Sequence, residues 1–486
     1  MLRCLSLLGL ALCGMAHAVV PSHTDLTAEP AWKGWSRPGR ASEIDVRVTS
    51  ETARRTTLEV VAGLQTLRAD LDLQAGRTVR LQIPVSSVER VTVSVGSPAG
   101  PSERRDVVLA QSESPLLGLG LVTGESVSID GFHSVSLGAD DLPRNSTAYS
   151  SIDALVLDAP TLGALDQRQL GALLEHAAGC GRIVVLNTNE RVRRLLDGAG
   201  GCGGHTLLNA ASLPEAAEKL TTSLATSVPA AISPGGVGEL TRPASVIWQR
   251  VVLCLAVYFA AAALAVLFFS TLPLLLVTPV LACAAALALL HSAQPPSQLL
   301  VWSEGESGAR FVRYQASQRV QGIVREVRRV PIPPQLAGSA RACSTRRAMS
   351  FGFDANRGLA TFAEFETRLF DQASLCFSGG FPTTRIVEVQ DRPDGSRAVR
   401  NAGTMAWAPG WLLAGGLVHE LPALGPGART TIGSGARQAP RDAAMRTALT
   451  RTPADGVAAL WPLELGGVVE APIESKGWLL VSVPRP

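Results

Sequence analysis

Ile152-Asp153-Ala154-Leu155-Val156-Leu157 is the stretch on which the reading of the fold turns. Consecutive apolar positions with a β-branched residue among them describe a strand buried on both faces. Asp166 stands where it can cap a following helix, in which Leu170, Leu173, Leu174 and Ala177 recur at helical spacing. Gly179 and Gly181 end that helix, and Arg182-Ile183-Val184-Val185-Leu186 is a second buried strand. A helix over 190–196, a short strand over 205–208 and a helix over 213–224 continue the rhythm, and the apolar run 116–122 opens it. Strands alternating with helices predict a parallel sheet covered on both faces, here an α/β domain over residues 115–232.

Outward from this unit the pattern changes to period two. Ile44-Asp45-Val46-Arg47-Val48, Thr57-Leu58-Glu59-Val60-Val61 and Val91, Val93 and Val95 alternate as half-buried strands do, and Gly63, Gly76, Pro84 and Gly96 punctuate them. These predict an immunoglobulin-like β-sandwich over 19–112. Residues 298–486 carry more such runs, among them Phe311-Val312-Arg313-Tyr314 and Ile386-Val387-Glu388-Val389, with one helix candidate at 363–370. The expected fold class is therefore multidomain: an N-terminal β-sandwich, a central α/β flavodoxin-like domain, a two-helix transmembrane hairpin and a C-terminal mainly-β domain.

The hairpin rests on the centre of the chain, where residues 251–303 contain no Asp, Glu, Lys or Arg. Two apolar segments, 246–269 and 272–292, each match one hydrocarbon thickness at roughly 20 residues per span. Ser270, Thr271 and Pro273 mark the turn, residues 233–245 form a Gly/Pro-rich linker, and Trp248 and Trp302 are placed as membrane-interface anchors. Met1-Leu2-Arg3, an apolar run over 4–15 and Ala16-His17-Ala18 have the form of a signal peptide over 1–18. Export of the amino-terminal part and two crossings put both flanking regions in the periplasm, anchored to a bacterial inner membrane, with the lipid bilayer as one partner.

Composition excludes other classes. In 486 residues the formal charge is +3 and charged residues make up 17%, with the basic ones spread along the chain. No nucleic-acid partner follows. The mean hydropathy is +0.21, as folded domains around an apolar centre require.

Asp141-Leu142-Pro143, Tyr149, the run from Ile152 to Leu157, Leu165, Gln169, Leu173-Leu174 and Gly179-Cys180-Gly181 before Ile183-Val184-Val185 carry a resemblance. Over about residues 116–210 this resembles the class I glutamine amidotransferase-like domains of bacterial membrane proteins. The resemblance implies a flavodoxin-like layered fold; catalytic members of that family add a nucleophilic Cys on a strand-to-helix elbow, a His and an acidic residue.

Gly200-Gly201-Cys202-Gly203-Gly204, followed by His205, makes Cys202 the one candidate nucleophile. Its context is a helix before and a strand after, the reverse of an elbow, and His205 is adjacent in sequence where a base must be spatially separate. The same context dismisses Gly198, Gly200 and Gly203 as a dinucleotide loop. Of the eight cysteines, Cys4 and Cys13 fall in the leader and Cys254 and Cys283 in the apolar centre. Cys180 with Cys202, and Cys343 with Cys376, remain as disulfide candidates suited to an oxidising compartment, with unpaired buried thiols as the alternative.

Asp153 and Asp158 bracket a strand as turn and helix caps, and His133, His176 and His205 show no metal-ligand spacing; His176 lies near a helix end, where a cation suits the dipole. Trp407, Trp411, Trp461 and Trp478 suit core packing or, alternatively, a sugar-stacking face. No cofactor and no metal are expected. The sequence thus points to a non-enzymatic envelope protein that binds or positions another envelope protein. The alternatives are a thiol-dependent amidase or transferase using Cys202, and an accessory subunit of an export or polysaccharide system.

Overall fold

The computed structural model describes most of residues 24–225 and 297–483, and only isolated positions between those two stretches. Strands dominate it. The period-two runs near the amino terminus form Thr24–Pro30, Ala41–Ser50 and Thr78–Ser86, an antiparallel three-stranded sheet. Its inward positions Leu26, Ile44, Val46, Val48 and Leu81 pack with Leu58, Val60 and Leu67 of a second sheet.

That second sheet has seven strands and draws on both ends of the chain. Arg54–Ala62, Gln65–Leu73, Arg90–Gly96 and Glu103–Val108 share it with Glu326–Pro331, Met349–Asp354 and Leu359–Thr367. The seam is parallel pairing of Met349–Asp354 with Gln65–Leu73, which sets Phe351 opposite Leu67. Phe351 and Phe365 complete the same core as Leu58 and Val60. An eight-stranded sheet lies wholly in the later residues, and its central parallel pair is Ser297–Glu306 with Ile473–Val483.

The buried runs of the middle region pair as five parallel strands in the order His133–Leu137, Leu116–Gly120, Ala154–Asp158, Arg182–Leu186, Leu207–Ala210. Alternate residues divide between two cores, Leu155, Leu157, Ile183 and Val185 on one face and Val156 and Val184 on the other. Leu116–Gly120 carries two glycines because its neighbours fill the space: a Cβ at Gly118 would stand 2.8 Å from Leu155, and one at Gly120 2.5 Å from Leu157. Asp166 caps helix Gln167–Ala178, accepting from the N–H groups of Arg168 and Gln169, while Gln169 Oε1 accepts from the Asp166 N–H, a complete capping box.

The expected fold class is corrected on three counts. The N-terminal strands are no self-contained sandwich, because one of their two sheets is completed by strands of residues 326–367. A central flavodoxin-like domain is not evident: the five parallel strands are one small sheet in a mostly-β molecule. Their core takes in Trp32 from the short 3-10 turn Ala31–Gly34 after the first strand, and helix Gln167–Ala178 packs on the strands Phe311–Gln321 and Gln372–Pro382. The transmembrane hairpin is unsupported. Among the described residues no helix is long and apolar enough to cross a membrane, and the spans 246–269 and 272–292 lie almost entirely outside those residues. The signal-peptide segment 1–18 also lies outside them. A smaller correction concerns 363–370, expected as a helix: Ala363 and Phe365 are inward residues of the strand Leu359–Thr367.

Candidate functional site

Where the three regions of the chain meet, they leave a groove. Helix Gln167–Ala178 forms one wall, strand Thr78–Ser86 another, and Pro334, Ser339 and Gly379 a third, around a cavity of about 1070 Å³. A narrower cleft of about 280 Å³ adjoins it, and Ser146, Glu175, Ser378 and Gly379 line both.

Two arginines of the wide part are each held by a carboxylate. Arg144 Nε donates to Asp166 at 2.6 Å, and Arg80 Nε donates to Asp45 at 2.8 Å. Burial opposes the charge on Asp166, yet the Gln169 N–H and the Arg144 guanidinium keep its carboxyl below the usual range. Glu175 is shifted the other way: burial pushes it up, and the hydroxyl of Ser146, donating at 2.7 Å, only partly offsets this. Behind this wall, Glu43 is buried, and its Oε2 finds no hydrogen-bond partner among the described residues. Desolvation, reinforced by Asp45, pushes it up to about 8 against the pull of Arg80 and Arg144.

The narrow cleft is framed by the end of helix Gln167–Ala178. Cys180 closes that helix in the left-handed region at φ 67°, its N–H donating to Ala177 O at 3.0 Å and that of Gly181 to His176 O at 2.8 Å. A side chain there pays strain that glycine would avoid. Cys180 is disulfide-bonded, and Arg313 donates to its Sγ at 2.9 Å. Cys202, His205 and the surrounding glycines lie outside the described residues. His176 is not the helix-end cation expected. Burial, with Arg40 nearby, pushes its imidazole down to about 4, and its Nε2, without a partner among the described residues, lies against Gly181, where a Cβ would come within 2.1 Å.

Cys343 and Cys376 are joined by a disulfide, with Cα atoms 5.0 Å apart and a sequence separation of 33. Replacing both by Ser is expected to cost about 2–4 kcal/mol, from the freedom returned to the unfolded chain. Urea unfolding of the double variant checks this, and an unchanged midpoint would show the bond to be dispensable.

Other sequence-derived sites resolve as follows. Trp302 is no surface anchor: it is 1% exposed in strand Ser297–Glu306 and donates from Nε1 to Glu304 at 2.7 Å. Trp248 lies outside the described residues. Asp153 accepts from the Leu116 N–H and pairs with Arg37 and Arg40, while Asp158 accepts from the N–H groups of Thr161 and Val122. Trp407 and Trp461 are core residues in edge contact at 5.0 Å, so the four late tryptophans do not form one exposed stacking face. Among the described residues no group of three His, Cys, Asp or Glu is placed to hold a metal ion. Sequence reasoning missed Arg40, Arg182, Arg313 and Glu304, which come together only through the fold and share no spacing that would have marked them.

No protein-family model and no curated protein matches this chain.

Proposed function

We propose that the protein is a non-enzymatic binding or positioning protein of an oxidising extracytoplasmic compartment, holding a polar partner in the groove between its three regions. The observation that carries this is the groove's construction. Its walls come from distant parts of the sequence, and two of its arginines, Arg80 and Arg144, are fixed in advance by Asp45 and Asp166, so a ligand meets a preorganised polar surface. The Cys343–Cys376 bond and the leader-like first residues support the compartment. The disulfide at Cys180 favours a structural use of that cysteine over thiol chemistry at this end of the sheet.

Gly171 offers the test, because it lines the groove and a Cβ there meets nothing within 4 Å. Gly171→Trp should fold with unchanged melting temperature and block the groove. Wild-type protein crosslinked in envelope extracts should retain a partner through groove residues, and the Trp variant should lose at least nine-tenths of it. Equal retention by both would place the partner elsewhere and sink this reading.

A further inference from the structure

The narrow cleft collects cations from three separate parts of the chain. Arg40 precedes strand Ala41–Ser50, Arg182 begins strand Arg182–Leu186, and Arg313 lies in strand Phe311–Gln321; all three line the same space. The carboxylates near them are shared. Asp153 divides its oxygens between Arg37 at 3.2 Å and Arg40 at 2.8 Å. Glu304 serves Arg313 at 3.1 Å and Arg451 at 2.9 Å. Arg182 is held by neutral oxygens, the hydroxyl and carbonyl of Ser223, both at 3.2 Å. Glu175 is the remaining acid of the lining, and its burial works against its charge.

Among the described residues, three guanidiniums therefore line the concavity; the carboxylates that hold two of them, Asp153 and Glu304, are each shared with a further arginine, and the remaining acid of the lining, Glu175, is disfavoured as an anion. Positive charge concentrated in a recess with low-dielectric walls attracts and desolvates an anion, and guanidinium groups match an oxyanion in geometry. Two polar atoms in the cleft's lining residues also lack partners among the described residues: His176 Nε2 and Gln315 Oε1. Since the amide of Gln315 can turn either end inward, it can donate to an anionic oxygen or accept from a protonated one.

We infer that this cleft is an oxyanion subsite that takes a phosphoryl group, at one end of whatever polar ligand the groove holds. The inference deepens the groove reading and rests on it for the remainder of the ligand, but the subsite is measurable alone. Its source is either a soluble phosphorylated molecule or an anionic lipid headgroup, two forms of one chemistry.

Calorimetric titration of the intact, oxidised protein with inorganic phosphate at low salt tests it. One phosphate should bind per chain, weakening at least tenfold in Arg182→Gln and also in Gln315→Glu, which places a like charge in the wall. Arg104→Gln, on an exposed strand paired with Asp106, serves as the control and should bind as wild type does. The Gln315→Glu arm keeps the test valid if Arg182→Gln fails to fold. Retention on phosphatidylglycerol vesicles that is lost in the same variants would assign the lipid source; phosphate binding without vesicle retention would assign the soluble one. Absence of phosphate binding to wild type at millimolar concentration, or equal binding in the two cleft variants, overturns the subsite. Partner retention that persists in that case would leave the groove reading standing by itself.

Discussion

Replacing Glu304 by Ala lowers the free energy of unfolding by about 3–5 kcal/mol, the largest single-residue loss expected in this protein. Glu304 is 8% exposed and accepts from Trp302 Nε1, from Arg313 and from Arg451. Its carboxylate is thus the common counter-charge of two guanidiniums that are themselves nearly out of water. Truncation removes the charge-assisted hydrogen bonds of three donor side chains and leaves two like charges facing each other in low dielectric. Arg451 reaches it from the helix Ala443–Arg451, and Arg313 continues to Cys180, so the damage spreads to the helix and the narrow cleft. Glu304→Gln keeps the shape and loses the charge, and should fall between. Chemical denaturation of both variants is the measurement; a loss below about 1 kcal/mol for the Ala change would mean the arginines find other partners.

The second large effect is a change in pH dependence. Glu43 is held up to about 8 in the folded protein from a reference of 4.5, chiefly by burial. A carboxyl raised in the folded state is neutral on both sides of the equilibrium at pH 4. As pH rises through 4.5 the unfolded chain ionises and the folded one does not, so stability falls until the folded carboxyl also ionises near 8. The loss across that window is on the order of a few kcal/mol. Glu43→Gln removes it. The variant should match wild type near pH 4 and surpass it progressively towards pH 8, in melting temperature and in denaturant midpoint. His176 acts oppositely, losing stability as pH falls from 6.5 towards about 4, so the informative quantity is the difference between variant and wild type at each pH. Parallel profiles for the two proteins would show that Glu43 is ionised in the fold and paired.

The sequence made local structure legible and long-range pairing illegible. Asp166 announced a helix cap because the N–H groups it serves lie within one turn, and the apolar runs at 154–157 and 183–186 announced buried strands because both faces of each are covered. Val91, Val93 and Val95 alternate in sequence and in burial alike. By contrast, nothing local tells Gln65–Leu73 that its neighbour is Met349–Asp354, so a shared sheet read as a separate domain. Ala363 and Phe365 lie in a short apolar run of the kind for which helix and strand patterns coincide. Trp302 was read from its position beside an apolar segment, whereas its place is set by Glu304 two residues on. The groove was invisible for the same reason as the shared sheet. Its arginines are ordinary surface-type residues until the fold gathers them.

The seam between Gln65–Leu73 and Met349–Asp354 also governs the order in which the molecule can be made. A chain synthesised from its amino terminus presents the strand Gln65–Leu73 long before its partner exists, with Leu67, Ala69, Leu71 and Leu73 on its apolar face. Closing so long a loop is slow on entropic grounds, and an open strand edge invites the wrong neighbour while it waits. The interval between emergence of the two strands is therefore the period of greatest exposure to misassembly in the life of this chain, and its demand for chaperone protection falls there rather than at any later stage.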